Sequence, residues 1–339
     1  MNTGPGIGRV LTGVRAAKIF DNSRIVENVA VNNGSCSGVI ACRLCAASLR
    51  MRPFFGLAFA AQQVSLRPMD VQTHRFMALG GHLSCLNAGP AEGPDVILLH
   101  GLGWDAERLW HNQIRALAQA GWRVHAPDMR GVGQSVPLTG AVTIVDYADD
   151  VALLLAEARI ARPMLVGFSM GCVIATELAL RPEVNACGLV LACGGLRSTE
   201  DGEIATERML ERARDLGPED FSLEQSTAIF GKSYARNHPD AVADFVRWRA
   251  EMDQPSLHHA FRAGYGCDYE DRLSDLRCPV SVIAADQDNF LSLSSAYALA
   301  EKAAEAPVHA IKDSGHMVPV EQPEAFAAAL LTSLHEVRT

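Results

Sequence analysis

The stretch Met164-Leu165-Val166-Gly167-Phe168-Ser169-Met170-Gly171-Cys172-Val173-Ile174-Ala175 runs from five apolar-rich residues, through Gly-x-Ser-x-Gly, into a segment that continues to Leu180 and stops at Arg181-Pro182. A short continuous apolar run bounded by glycine reads as a strand buried on both faces, and the longer run after it as a helix. The spacing therefore predicts a strand over 164–168 and a helix over 170–180. Ser169 then sits on the turn between them, where the backbone is sharply bent and the flanking glycines leave it room. A hydroxyl so placed stands out of the sheet.

The same alternation extends in both directions. Short apolar runs at 96–100, 122–127, 188–192, 280–285 and 308–311 alternate with helical spacing at 108–120, 144–158, 293–304 and 323–335. This is the signature of an α/β fold: a mostly parallel sheet, of eight-stranded type, with helices on both faces. Two segments at 71–79 and 82–88 flank Gly80-Gly81 and read as an opening antiparallel hairpin. Between Leu196 and about Leu276 the alternation lapses into helix-like segments at 204–216 and 241–251. We expect residues 69–195 and 277–339 to form the core and 196–276 to form a helical cap inserted into it.

Charge is unevenly spread over the 339 residues. Residues 1–68 carry eight basic and two acidic side chains, and the remainder 22 basic and 37 acidic, so a net of +6 precedes a body of −15. The basic leader is expected to lie outside the folded unit, as a targeting peptide, a disordered arm, or the product of a translation start placed ahead of Met69. An acidic body disfavours nucleic acid as a ligand, since phosphate binding needs a concentrated positive field. No apolar run approaches the roughly 18 residues of a membrane span. Nine cysteines, an odd count in a long chain, fit reduced thiols and a cytoplasmic setting better than a disulfide framework; an organelle or export destination follows only if the leader is a targeting peptide. The Cys-x-x-Cys at 42–45 has no second pair or histidine at zinc-ligand spacing, and neither a metal nor a cofactor is expected.

A nucleophilic serine needs a base and a group that orients it, in the chain order Ser, acid, His for this architecture. His316, in Asp313-Ser314-Gly315-His316, follows the last predicted strand. Asp288 follows the strand at 280–285, with Asp286 as its competitor two residues earlier. Both loops fall at the carboxyl edge of the sheet, where open α/β folds bind ligands. His100-Gly101-Leu102-Gly103-Trp104 follows the first buried strand, and the Leu102 and Met170 amides are candidates for an oxyanion hole. His100 itself reads as a brace for that loop. The loop Asp128-Met129-Arg130-Gly131-Val132-Gly133-Gln134-Ser135 reads as structural.

Together the His-Gly at 100–101, the 128–135 loop, the serine turn, Asp288 and the Gly-His at 315–316 resemble the α/β-hydrolase superfamily with a helical cap, over about residues 70–337. Leu102-Gly103, Trp110, Gly-Phe-Ser-Met-Gly and Glu321-Gln322-Pro323-Glu324 are similar to its 3-oxoadipate enol-lactonase and non-haem haloperoxidase-like branch. Two positions depart from the pattern: Ala285 stands where glycine is frequent before the acid loop, and Cys172 where a third glycine is common. The resemblance implies that Ser169 attacks the carbonyl of a small ester or lactone, His316 shuttles the proton and Asp288 orients the imidazole. A C–C bond hydrolase of a vinylogous diketone, or a non-catalytic small-molecule receptor, would use the same scaffold. Trp104, Trp248, Phe261 and Tyr265 are expected to line the substrate pocket, with His258 and His259 as further candidates. Arg247, Arg249 or Arg262 could pair with a substrate carboxylate. The sequence leaves a homo-oligomer open.

Overall fold

The computed structural model describes residues 70–338; the basic leader lies outside them. Eight strands form one sheet: β1 (Gln72–Ala78), β2 (Gly81–Ala88), β3 (Asp95–Leu99), β4 (Arg123–Pro127), β5 (Met164–Phe168), β6 (Gly188–Ala192), β7 (Val280–Ala285) and β8 (Val308–Ile311). Their order across the sheet is β1-β2-β4-β3-β5-β6-β7-β8. β1 pairs antiparallel with β2, and β2 with β4, while the remaining pairs are parallel. The chain doubles back at Leu79-Gly80, where Gly80 has φ +82°, a conformation glycine adopts without strain.

Helices α1 (Ala106–Gln119), α2 (Ile144–Glu157) and α3 (Met170–Leu180) connect the first strands. Five helices follow β6: α4 (Glu200–Leu216), α5 (Pro218–Ile229), α6 (Lys232–Asn237), α7 (Pro239–Glu251) and α8 (Gln254–Phe261). A 3-10 turn at Glu270–Asp275 returns the chain to β7, and α9 (Leu293–Lys302), α10 (Val318–Glu321) and α11 (Pro323–Glu336) complete the fold. The helix starts follow from local chemistry. The Asp105 carboxylate accepts the Arg108 N–H, and Thr143 and Asp146 form a reciprocal capping box on α2. Prolines at the first turns of α5, α7, α8, α10 and α11 lack an N–H that those turns would leave unpaired.

All residues of β5, β6 and β7 are buried, because helices cover both faces. The two large hydrophobic clusters are those two faces. One packs α1 and α11 against Val96, Leu98, Val166 and Val190; the other packs α2 and α3 against Ile97, Leu99, Leu165 and Leu191. Alternate residues of each strand thus serve opposite cores. The order of pairing reverses at β3, with β4 on one side and β5 on the other, so the loops after β3 and β5 diverge and leave a crevice at the carboxyl edge. Among the described residues no helix is long and apolar enough to cross a membrane.

Candidate active site

Ser169 follows β5 directly, with φ 52° and ψ −119°. A non-glycine residue there costs roughly 1–3 kcal/mol, which the packing around it must hold in place. The neighbouring glycines act through close approach. A Cβ on Gly167 would meet the Gly171 carbonyl, and one on Gly171 would meet the carbonyl of Leu99. Cys172, in place of a third glycine, is wholly buried. Its thiol lies 3.2 Å from the Gly167 carbonyl and 3.3 Å from that of Ala192, and burial pushes its pKa up to about 12. A neutral thiol therefore fills that space and takes no charge into the site.

His316, in the loop after β8, reaches the serine. Its Nδ1 lies 2.9 Å from Asp288 Oδ2 and its Nε2 lies 3.0 Å from Ser169 Oγ. An ionised carboxylate only accepts, so Nδ1 carries the proton, and Nε2 is left to accept from the serine hydroxyl. Asp288 is fixed in turn: its side chain is fully buried and its Oδ1 accepts the N–H groups of Phe290 at 2.7 Å and Leu291 at 3.2 Å. Asp286 is exposed and its Oδ1 accepts the Ser314 N–H at 3.3 Å. Two aromatic rings hold the imidazole, Phe168 at 5.1 Å and Phe290 at 4.7 Å between centroids.

The structure also brings Leu102 and Met170 to this point. Both line the cavity that holds Ser169 and His316, and among the described residues neither amide donates to a protein acceptor. His100 braces the loop: its Nδ1–H donates to the Gly101 carbonyl at 2.9 Å and its Nε2 accepts the Met129 N–H at 2.8 Å. Full burial depresses its pKa, keeping it neutral. The 128–135 loop is pinned from outside the cavity. Arg130 grips the buried Asp150 through Nε at 2.6 Å and Nη2 at 2.5 Å, while Ser135 donates to the Asp128 carbonyl at 2.7 Å.

The cavity has a volume of about 420 Å³, the scale of a small-molecule site, and is walled by the core loops on one side and by α4, α5, α7 and α8 on the other. Trp104, Phe261 and Tyr265 line it. Trp248 does not. Its ring packs behind Trp104 at 5.5 Å and lies under the Arg108 guanidinium at 4.7 Å, so it supports a wall residue from outside. His258 and His259 are likewise not among the lining residues, while Met209, Gln225, Ile229 and Phe290, which no sequence pattern singled out, are. Of the three arginines, only Arg249 faces the cavity. It is 5% exposed, and burial pulls its guanidinium down to about 10, still charged at neutral pH.

One positioning residue is marked in the sequence only by the Glu321-Gln322-Pro323-Glu324 resemblance, which assigns it no role. Glu321, at the end of α10, accepts the N–H groups of Gly315 at 2.9 Å, Met317 at 3.2 Å and Gly231 at 3.1 Å. It thereby clamps the backbone on both sides of His316 and ties it to the start of α6. Desolvation raises its pKa despite these donors.

A doubly wound sheet with a serine turn after its central strand, and a histidine returning to that serine from the last strand, defines a class. The chain belongs to the alpha/beta hydrolase family, whose model matches residues 96–329, and it is a hydrolase. A Variovorax paradoxus (strain S110) protein assigned as the carbamate hydrolase RutD is 29% identical over 255 residues, covering 74% of this chain and 94% of that one. A thermophilic esterase from Thermogutta terrifontis, solved with malate bound, superimposes with a TM-score of 0.71 at 27% identity over 79% of this chain and all of that one. The enol-lactonase from Burkholderia xenovorans LB400 shares the fold, with a TM-score of 0.71 at 24% identity over 77% of this chain and all of that one.

Proposed function

We propose that this hydrolase cleaves a small carboxylic ester or lactone through an acyl-enzyme formed on Ser169. The observation that carries the reading is the continuous hydrogen-bonded series Ser169, His316, Asp288 at the wall of the cavity. Ser169 Oγ attacks the carbonyl carbon as His316 Nε2 takes its proton, and Asp288 stabilises the imidazolium that results. The Leu102 and Met170 N–H groups receive the oxyanion; losing one such donor typically costs about 3 kcal/mol of barrier. Collapse breaks the bond to the leaving oxygen, which takes the proton from His316. Water, deprotonated by the same imidazole, then releases the acid. The esterase named above supports an ester as the bond attacked, and the carbamate hydrolase is a relative named for a related carbonyl.

The test is turnover of 4-nitrophenyl acetate by the full chain. Ser169→Ala should lower kcat by about 10⁴-fold or more with circular dichroism unchanged. A fluorophosphonate should label the unaltered protein at Ser169 and leave the variant unlabelled. Equal turnover by the variant would sink the reading, and a folded protein that neither labels nor turns over ester would be a receptor.

A further inference from the structure

Two of the three candidate arginines already have partners. Arg262 holds Glu207 through Nε at 2.6 Å and Nη2 at 2.7 Å, and Arg247 pairs with Asp244 at 3.1 Å on the surface. Arg249, on α7, has no carboxylate partner among the described residues. Its Nε is buried without an acceptor, and its Nη1 has only the Gly103 carbonyl, at a long 3.5 Å. The Phe245 and Phe261 rings stand 5.8 and 5.7 Å from its guanidinium carbon. Gly103 makes the seat. With φ +66° and no side chain it lets the guanidinium come down on the loop, where a Cβ would stand 2.5 Å from the Arg249 Cζ. The other cation on the cavity wall, Arg197, is half exposed and compensated by Asp268 at 3.2 Å. The wall carboxylate Glu203 is occupied by the Ser198 hydroxyl at 2.7 Å and the Gly266 N–H at 2.8 Å.

A buried cation without a counter-charge is unfavourable to fold around, and ring faces compensate it only in part. The same arrangement becomes favourable once an anion enters. We propose that Arg249 binds a carboxylate of the substrate, so that the ester or lactone cleaved at Ser169 is a short acid derivative carrying a free carboxylate. This deepens the serine-hydrolase reading and rests on it. The planar guanidinium has a free Nε and a second amino group to offer a carboxylate in fork geometry. It lies against Gly103, adjacent to the Leu102 N–H assigned to the oxyanion, so the carboxylate stands only a few bonds from the scissile carbonyl.

The test compares matched charged and neutral substrates on the full chain. One pair puts the charge on the acyl side, mono-4-nitrophenyl glutarate against 4-nitrophenyl pentanoate. The other puts it on the leaving side, acetoxyacetate against ethyl acetate. In at least one pair the charged ester should have a kcat/KM about tenfold or more higher, and Arg249→Met should lower that charged-to-neutral ratio by roughly thirtyfold, with Arg249→Lys retaining part of it. Glutarate should also raise the Tm of the unaltered protein and of Ser169→Ala, but not of Arg249→Met. The Met variant, relieved of a lone buried charge, should match or exceed the unaltered protein in Tm without ligand. No charge preference in either pair, or a ratio unchanged by Arg249→Met, overturns the proposal; equal losses on both esters with a lowered Tm would make Arg249 a brace for Gly103. If the Met variant does not fold, competitive inhibition of the unaltered protein by glutarate but not by glutaramide carries the decision. Fluorophosphonate labelling of Ser169 separates the two failures: without labelling the hydrolase reading falls, whereas labelling without charge preference removes only the carboxylate site.

Discussion

At the scale of single residues, the serine and the histidine were legible because their signals are local. Gly167-Phe168-Ser169-Met170-Gly171 states its own turn, and Gly315-His316 follows an obvious strand. The acid was less so: Asp286 and Asp288 lie in one loop, and only its path in space sends one carboxylate to His316 Nδ1 and the other to the Ser314 N–H. The proposed division of roles predicts unequal losses. Asp288→Asn presents an amide to Nδ1 and favours the wrong imidazole tautomer, so kcat for 4-nitrophenyl acetate should fall by about 10⁴-fold. Asp286→Asn keeps an amide oxygen to accept the Ser314 N–H at an exposed site and should cost less than about tenfold. Steady-state kinetics on both variants check this, and a larger loss at Asp286 would reverse the assignment. Arg249 was visible only as one of three arginines, since pairing and burial are properties of the packed helices and not of spacing.

At the scale of elements, the strands and the helices that cover them read well, because a buried strand is a compact apolar run and an amphipathic helix repeats its apolar face. β5, β6, β7, β8 and α3 fall where the sequence puts them. The helical segment was coarser: α5, α6 and α8 went unread, being short, cut by Pro218, Pro239 and Pro255, or without a clear apolar stripe. α10 is four residues long and has no periodicity to detect, yet it presents Glu321 to three backbone donors. Glu321→Ala would leave those buried N–H groups without their acceptor, at about 1–3 kcal/mol for each one left unsatisfied. The variant should lose about 2–5 kcal/mol in denaturant unfolding. It should also lower kcat more than it raises KM, because His316 loses its fixed position while the cavity wall stays. A loss of stability with kcat unchanged would show that the clamp serves the fold alone.

At the scale of the whole molecule, two buried groups on loops of the carboxyl edge, His100 after β3 and Asp128 after β4, couple folding to pH in opposite senses. Buried His100 has a folded pKa below its ordinary 6.5, so the unfolded chain binds the extra proton and stability is lost as pH falls below about 6.5. Asp128 works the other way. Desolvation, added to by the nearby Asp105, raises it from 3.8 to about 6, outweighing the N–H groups of Ala106 and Gln134 that it accepts. Between those two values the folded chain holds the extra proton, so the Asp128 contribution to stability falls as pH rises from about 4 to 6 and is constant above. A rise of that size corresponds to at most about 3 kcal/mol. Asp128→Asn abolishes this linkage and carries in its place a constant cost from the acceptor it loses. The stability of the variant minus that of the unaltered protein should therefore climb by up to about 3 kcal/mol between pH 4 and pH 6.5 and then level off. Urea unfolding at half-unit pH intervals measures the difference directly, and a difference that stays flat, or falls, across that window would mean that Asp128 is ionised in the fold throughout.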